Sequence, residues 1–196
     1  AENQVKVAEA GGIEVVIGAM RSHECRPRVQ KAGCSVFFNL SFQSAENKIK
    51  VREAGGIECV VLAMRIHRRD ARVQEEGCCA LGTLAVNAEN RIKVGEAGGI
   101  KIVVGAMRRH EDHRNVQYEG CRSLRILSLR DVENQNKLVQ AGGIEVVVGA
   151  MRRIESHNRL QEEGCGALVI LAANAVNQIR VAQAGGIDAV LGAMRR

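Results

Sequence analysis

The apolar positions of the chain recur at helical rather than strand spacing. Ile13, Val16, Ile17 and Met20 fall at i, i+3, i+4 and i+7, and Val29, Gly33, Phe37 and Leu40 form a second stripe of the same kind. The stripes and the polar stretches between them predict three helices in the second stretch of the chain, over Glu46–Glu53, Ile57–His67 and Arg72–Val86. Gly55 and Gly56 are expected to close the first of these with a left-handed cap and to turn the chain tightly into the second. The polar stretch Arg68–Ala71 separates the second from the third.

The same pattern returns along the whole chain. Ala-Gly-Gly-Ile begins at Ala10, Ala54, Ala97, Ala141 and Ala184, at spacings of 44, 43, 44 and 43 residues. Ala-Met-Arg follows in register around Met20, Met64, Met107, Met151 and Met194, and Gln-x-x-Gly-Cys places Cys34, Cys78, Cys121 and Cys165 at the same period. The units run approximately 1–44, 45–87, 88–131 and 132–174, with two helices of a fifth over 175–196, in a single domain. The extra residue of the first and third units falls between a third helix and the next first helix. One unit cannot bury its own apolar stripe, so successive units must stack as a solenoid. Gly33, Gly77, Gly120 and Gly164 lie inside the third helices. Each costs about 1 kcal/mol relative to alanine, which implies close backbone approach by a neighbouring helix.

A three-helix unit with a glycine-closed turn and a period of 43–44 residues resembles the armadillo repeat. Cys79-Ala80-Leu81-Gly82-Thr83-Leu84-Ala85 is similar to that family's core motif Ala-Leu-x-Asn-Leu, with Thr83 in place of Asn. HEAT repeats share the period but usually have two helices per unit. The resemblance covers Ala1 to Arg196 and implies an all-α, right-handed superhelix of about 4.5 units, with third helices lining its concave surface. It further implies an extended peptide held there by a ladder of Asn side chains, and the ladder positions are Asn39, Thr83, Ile126 and Ile170. Where part of the family carries Trp, this chain has Ser35, Cys79, Arg122 and Gly166.

Composition narrows the partners. The 196 residues are 46% hydrophobic but only 2% aromatic, so the interior is expected to consist of Val, Ile, Leu, Ala, Met and Cys, with no large aromatic at its centre. The same scarcity argues against the stacking platforms that read single-stranded nucleic acid. No apolar run approaches the 18 or more residues of a membrane span, and no membrane partner is expected. Twenty-eight Lys and Arg against 22 Asp and Glu leave a charge of +6, which favours acidic partners. Seven cysteines without a C-x-x-C spacing read as free thiols, four of them small buried hydrophobes, and suit the cytoplasm or nucleus. The start of the chain resembles neither a secretory signal nor a transit peptide. No polar capping unit stands at either end, so the chain reads as a fragment of a longer array, with end-to-end association expected through Ile187, Val190, Leu191 and Met194.

Two surfaces carry candidate chemistry. Phe38, Asn39 and Phe42, with Thr83 on the ladder and Tyr118, Arg122 and Arg125 further along, place aromatic and Arg side chains on one helix series. That composition suits a binding hot spot, here for an extended or helical acidic segment of a partner protein. The alternative is a basic ridge that binds nucleic acid or another polyanion through Arg65, Arg68, Arg69, Arg72, Arg108, Arg109, Arg152 and Arg153, continued by Arg195 and Arg196. Arginines in the last turn of a helix also complement its exposed carbonyls, as do His23, His67 and His110 just beyond. Neighbouring units are displaced by roughly 10–12 Å, too far for this row of histidines to share one metal ion. No cofactor fingerprint, nucleophile–base pair or paired carboxylates stand out, so a non-catalytic scaffold without a cofactor is expected.

Overall fold

The computed structural model describes residues 2–195, and Ala1 and Arg196 of the sequence readings above lie outside them. Fourteen helices and no strand occur among the described residues. The first helices of the units are α1 (Glu2–Glu9), α4 (Ala45–Glu53), α7 (Ala88–Glu96), α10 (Val132–Gln140) and α13 (Ala175–Gln183). Second helices are α2 (Gly12–Ser22), α5 (Gly56–Ile66), α8 (Gly99–Arg109), α11 (Gly143–Arg153) and α14 (Gly186–Met194). Third helices are α3 (Pro27–Ser41), α6 (Ala71–Leu84), α9 (Arg114–Ser128) and α12 (Asn158–Leu171).

Side-chain caps set where these helices begin. Ser44, Asn87, Asp131 and Asn174 each accept a backbone N–H in the first turn of α4, α7, α10 and α13. Asp70 caps α6, whereas α9 and α12 are capped by imidazoles, Nδ1 of His113 and His157 accepting from the N–H of Val116 and Leu160. The glycine pairs divide their task. Gly11, Gly55, Gly98, Gly142 and Gly185 take φ of 76 to 85°, and a Cβ on the following Gly56 would stand 2.9 Å from the carbonyl oxygen of Val51. Gln43 and Arg130, at φ of 57 and 54°, accommodate the extra linker residue of the first and third units, and α3 and α9 have 15 residues where α6 and α12 have 14.

The third helices stack on one another, α3 on α6, α6 on α9 and α9 on α12. Leu81, Leu124 and Leu168 occupy one buried column of this stack, and Phe37 takes the same position in the first unit with no exposure. A large aromatic therefore does sit in the core, contrary to the expectation from composition, and Gly56 leaves room at its tip, since a Cβ there would lie 3.5 Å from Cζ. The third-helix glycines also differ from expectation in what approaches them. A Cβ on Gly120 would stand 2.5 Å from Cγ of Met107, and Gly33, Gly77 and Gly164 face Met20, Met64 and Met151 alike. The close neighbour is a methionine of the unit's own second helix, and Ala-Met-Arg and Gln-x-x-Gly-Cys keep register because they touch.

Two polar ladders run through this core. Nε2 of Gln117 donates to the carbonyls of Met107 (2.8 Å) and His110 (2.9 Å), supplying donors at the end of α8. Gln30, Gln74 and Gln161 repeat the arrangement in their units. Asn47, Asn90 and Asn134 donate across unit boundaries to the carbonyls of Gln4, Lys48 and Arg91. At the far end Ile187, Leu191 and Met194 of α14 are exposed, although their counterparts Ile144, Val148 and Met151 are buried.

Candidate functional site

Along the third-helix face, equivalent positions of successive helices form columns, and the sequence-predicted residues separate into two clusters. In the first unit the rings of Phe38 and Phe42 lie 5.6 Å apart at 53°. Gln4 Nε2 donates to the carbonyls of Asn39 (2.5 Å) and Phe42 (3.2 Å), fixing this end of α3. The Asn39 side chain is exposed and makes no intramolecular hydrogen bond among the described residues. The second cluster belongs to α9, where Tyr118 stacks on His157 at 5.4 Å and 26°.

The second cluster is internally satisfied. Arg122 donates through Nη1 to Glu119 Oε2 (3.1 Å) and through Nη2 to Thr83 Oγ1 (3.2 Å). Arg125 pairs with Glu163 of α12 through Nε, and its Nη2 lies 3.5 Å from the second carboxylate oxygen. Gly166 makes this possible, because a Cβ there would stand 2.5 Å from Cδ of Arg125. Thr83 is 3% exposed, so its side chain supports Arg122 rather than reaching a ligand as a ladder residue. Burial pushes the Glu119 carboxyl above its ordinary range, and the Arg122 charge followed by hydrogen bonds from Arg122 and the Cys79 thiol oppose it. Burial, with the Glu119 charge, raises the Cys79 thiol to about 12, which keeps it protonated as a donor.

These contacts change the charge of the face. Glu75, Glu76, Glu119, Glu162 and Glu163 share the third helices with Lys31, Arg72, Arg122, Arg125 and Arg159, and Arg122 and Arg125 are already held by carboxylates. Lys31 lies 3.6 Å from Glu76, and Asn115 donates to Glu75. The expected free positive charge for an acidic segment is therefore absent at Arg122 and Arg125. The Arg125–Glu163 pair spans 38 residues and is hidden from a reading of one helix at a time, whereas the Glu119–Arg122 pair, three residues apart on α9, was open to it.

The basic ridge is likewise partly used by the fold. Arg108 donates to the carbonyls of Ala141 (2.8 Å) and Gly142 (3.4 Å), and Arg152 to that of Gly185 (3.1 Å), so each clasps the glycine turn of the next unit. Arg153 pairs with Glu111 (2.8 Å) and Asp112 (3.1 Å). Arg65, Arg68, Arg69, Arg72 and Arg109 are exposed, with no ion pair among the described residues. His67 and His110 also bridge units, Nε2 lying 2.6 Å from the carbonyl oxygen of Glu24 and 2.9 Å from that of Arg68. No group of three His, Cys, Asp or Glu among the described residues is placed to hold a metal ion, and no described helix is long and apolar enough to cross a membrane.

Comparison with known proteins agrees with this architecture. An engineered protein solved by the Northeast Structural Genomics Consortium superposes with a TM-score of 0.84 at 26% identity, over 95% of this chain and 74% of that one. A second engineered protein from the same source gives 0.81 at 26% identity, over 95% and 73%. A designed armadillo repeat protein in complex with the peptide (KR)4 gives 0.82 at 21% identity, over 96% and 76%. No curated protein matches the chain. The family model described as LRRK2 ARM repeat matches residues 2–178, and with three-helix units stacked through their third helices the chain belongs to that armadillo repeat family.

Proposed function

We propose that the chain is a non-catalytic scaffold whose third-helix face holds an extended peptide of a partner protein. The observation that carries this reading is the uncommitted amide of Asn39 beside the Phe38–Phe42 pair: a donor and acceptor for peptide backbone next to an apolar seat. Arg122 and Arg125 are held by Glu119 and Glu163, while Glu75 and Glu162 have no ion pair among the described residues, so the partner segment is read as basic where it passes these two carboxylates, in place of the acidic segment expected from Arg122 and Arg125. The designed armadillo protein bound to (KR)4 supports a basic extended ligand on this fold. The test is fluorescence anisotropy with labelled (KR)4 and with an Asp-Glu peptide of equal length. Binding of the basic peptide is expected to weaken roughly five- to tenfold in Asn39→Ala, the worth of about one hydrogen bond, and further in Glu75→Lys/Glu162→Lys. Equal or tighter binding of the acidic peptide would reject the reading.

A second reading rests on the unpaired arginines. Arg65, Arg68, Arg69 and Arg72 gather within the second unit around the turn from α5 to α6, Asp70 is the only carboxylate between them in sequence, and it is occupied as the cap of α6. They would bind a polyanion in a salt-dependent, sequence-tolerant way. Duplex DNA affinity should then fall linearly on a log–log salt plot, and each arginine removed should reduce the slope by about 1. A slope unchanged in Arg68→Ala/Arg69→Ala counts against this use of the ridge.

A further inference from the structure

The junction between neighbouring second helices exists in a filled and an open version. Between α2 and α5, Leu62 lines the cleft together with Met20, Arg21, Cys59, Ala63 and Ile66, and only about 10 Å³ is open there. Between α8 and α11 the corresponding positions are Met107, Arg108, Val146, Ala150 and Arg153, with Gly149 where Leu62 stands, and the cleft opens to about 340 Å³. A Cβ on Gly149 would meet nothing within 4 Å, so no close contact requires the glycine. The floor of the open cleft is apolar, built by Met107, Val146 and Ala150. On its rim Arg108 and Arg153 are engaged as described, whereas the exposed carboxylate of Glu145 has no hydrogen bond or ion pair among the described residues.

We propose that the α8–α11 cleft is a docking pocket for a leucine-like side chain of a partner segment that carries a cationic group beside it. The aliphatic body takes the place that Leu62 takes in the filled copy, and the cation faces Glu145. In the filled copy Leu62 covers the cleft with 37% of its own surface still exposed, so the docked side chain lies over the cleft floor in the same way. Gly105 and Gly192 keep the glycine at two further junctions, but between α5 and α8 Lys101 stands at the Glu145 position, and between α11 and α14 Asp188 stands there 4.0 Å from Arg152, so neither offers an unpaired carboxylate. This pocket lies on the second helices and is independent of the peptide reading of the third-helix face.

The probe is N-acetyl-leucyl-lysinamide, followed by amide chemical shifts of the whole chain. Shifts are expected at Val146, Gly149 and Ala150, with an affinity on the order of 1 mM or tighter for a ligand of this size. Gly149→Leu, which adds a better helix former in open space, should fold and weaken binding at least tenfold. Glu145→Gln should remove the preference over N-acetyl-leucinamide, and Leu62→Gly should add a second set of shifts at Cys59 and Ala63. Shifts that persist in Gly149→Leu, that N-acetyl-glycyl-lysinamide reproduces, or that fall only on the third helices would overturn the proposal.

Discussion

Gln117→Leu is expected to lower stability by about 3 kcal/mol, although it replaces one side chain by another of similar size in a buried position. Gln117 is 2% exposed, and its amide is the donor to two carbonyls at the end of α8. Leucine keeps the packing and removes both donors, leaving the Met107 and His110 carbonyls to find water or go unpaired. The strong cost of an unsatisfied buried acceptor, rather than the modest net worth of a bond made, sets the size of the effect. Urea unfolding gives the total. Because units couple only to their neighbours, hydrogen exchange should show the loss concentrated in α8 and α9. A change below about 1 kcal/mol would mean that water replaces the amide, and the ladder would then be incidental to stability.

Gly120→Val is expected to cost a similar amount for the opposite reason. The first added carbon would stand 2.5 Å from Cγ and 2.6 Å from Sδ of Met107, both near the root of a side chain that is itself fully buried. Overpacking of this kind costs about 1–3 kcal/mol, offset only in part by the better helix propensity of valine over glycine. Met107→Ala alone should cost about 2–5 kcal/mol through the cavity it leaves. The double variant lets the valine occupy that space, so it should be more stable than additivity predicts by about 1–3 kcal/mol. Additive losses would show that the glycine answers to something other than the methionine.

Glycine turns, helix order and the recessed cysteines were legible in the sequence because each is decided within a unit. Gly55 needs only its own backbone conformation, and Cys34, Cys78 and Cys121 are buried on the stripe that their spacing indicates, whereas the fourth, Cys165, is only partly buried, contrary to that expectation. What the sequence concealed lies between units. Thr83 sits at a ladder position but is covered by Arg122, and Arg125 reaches Glu163 on the next third helix. Gly166 beneath Arg125 was a usable signal, a small residue set one unit beyond a large one, and the same comparison of columns distinguishes Leu62 from Gly149. The stripe of Val29, Gly33, Phe37 and Leu40 already turns Phe37 inward, whereas average composition does not say where a single ring goes.

The left-handed linker residues Gln43 and Arg130 have a further consequence. They mark every other unit, and the units without them share Gln-Glu-Glu-Gly-Cys, at Gln74 to Cys78 and at Gln161 to Cys165. Linker and sequence alternate together, so the array repeats as a two-unit block. Insertion or loss of such a block keeps every junction of a kind already present, whereas excising a single unit would bring together linkers and third helices that never meet in the native order. Counted by its linkers, the structural period of this solenoid is thus a pair of units.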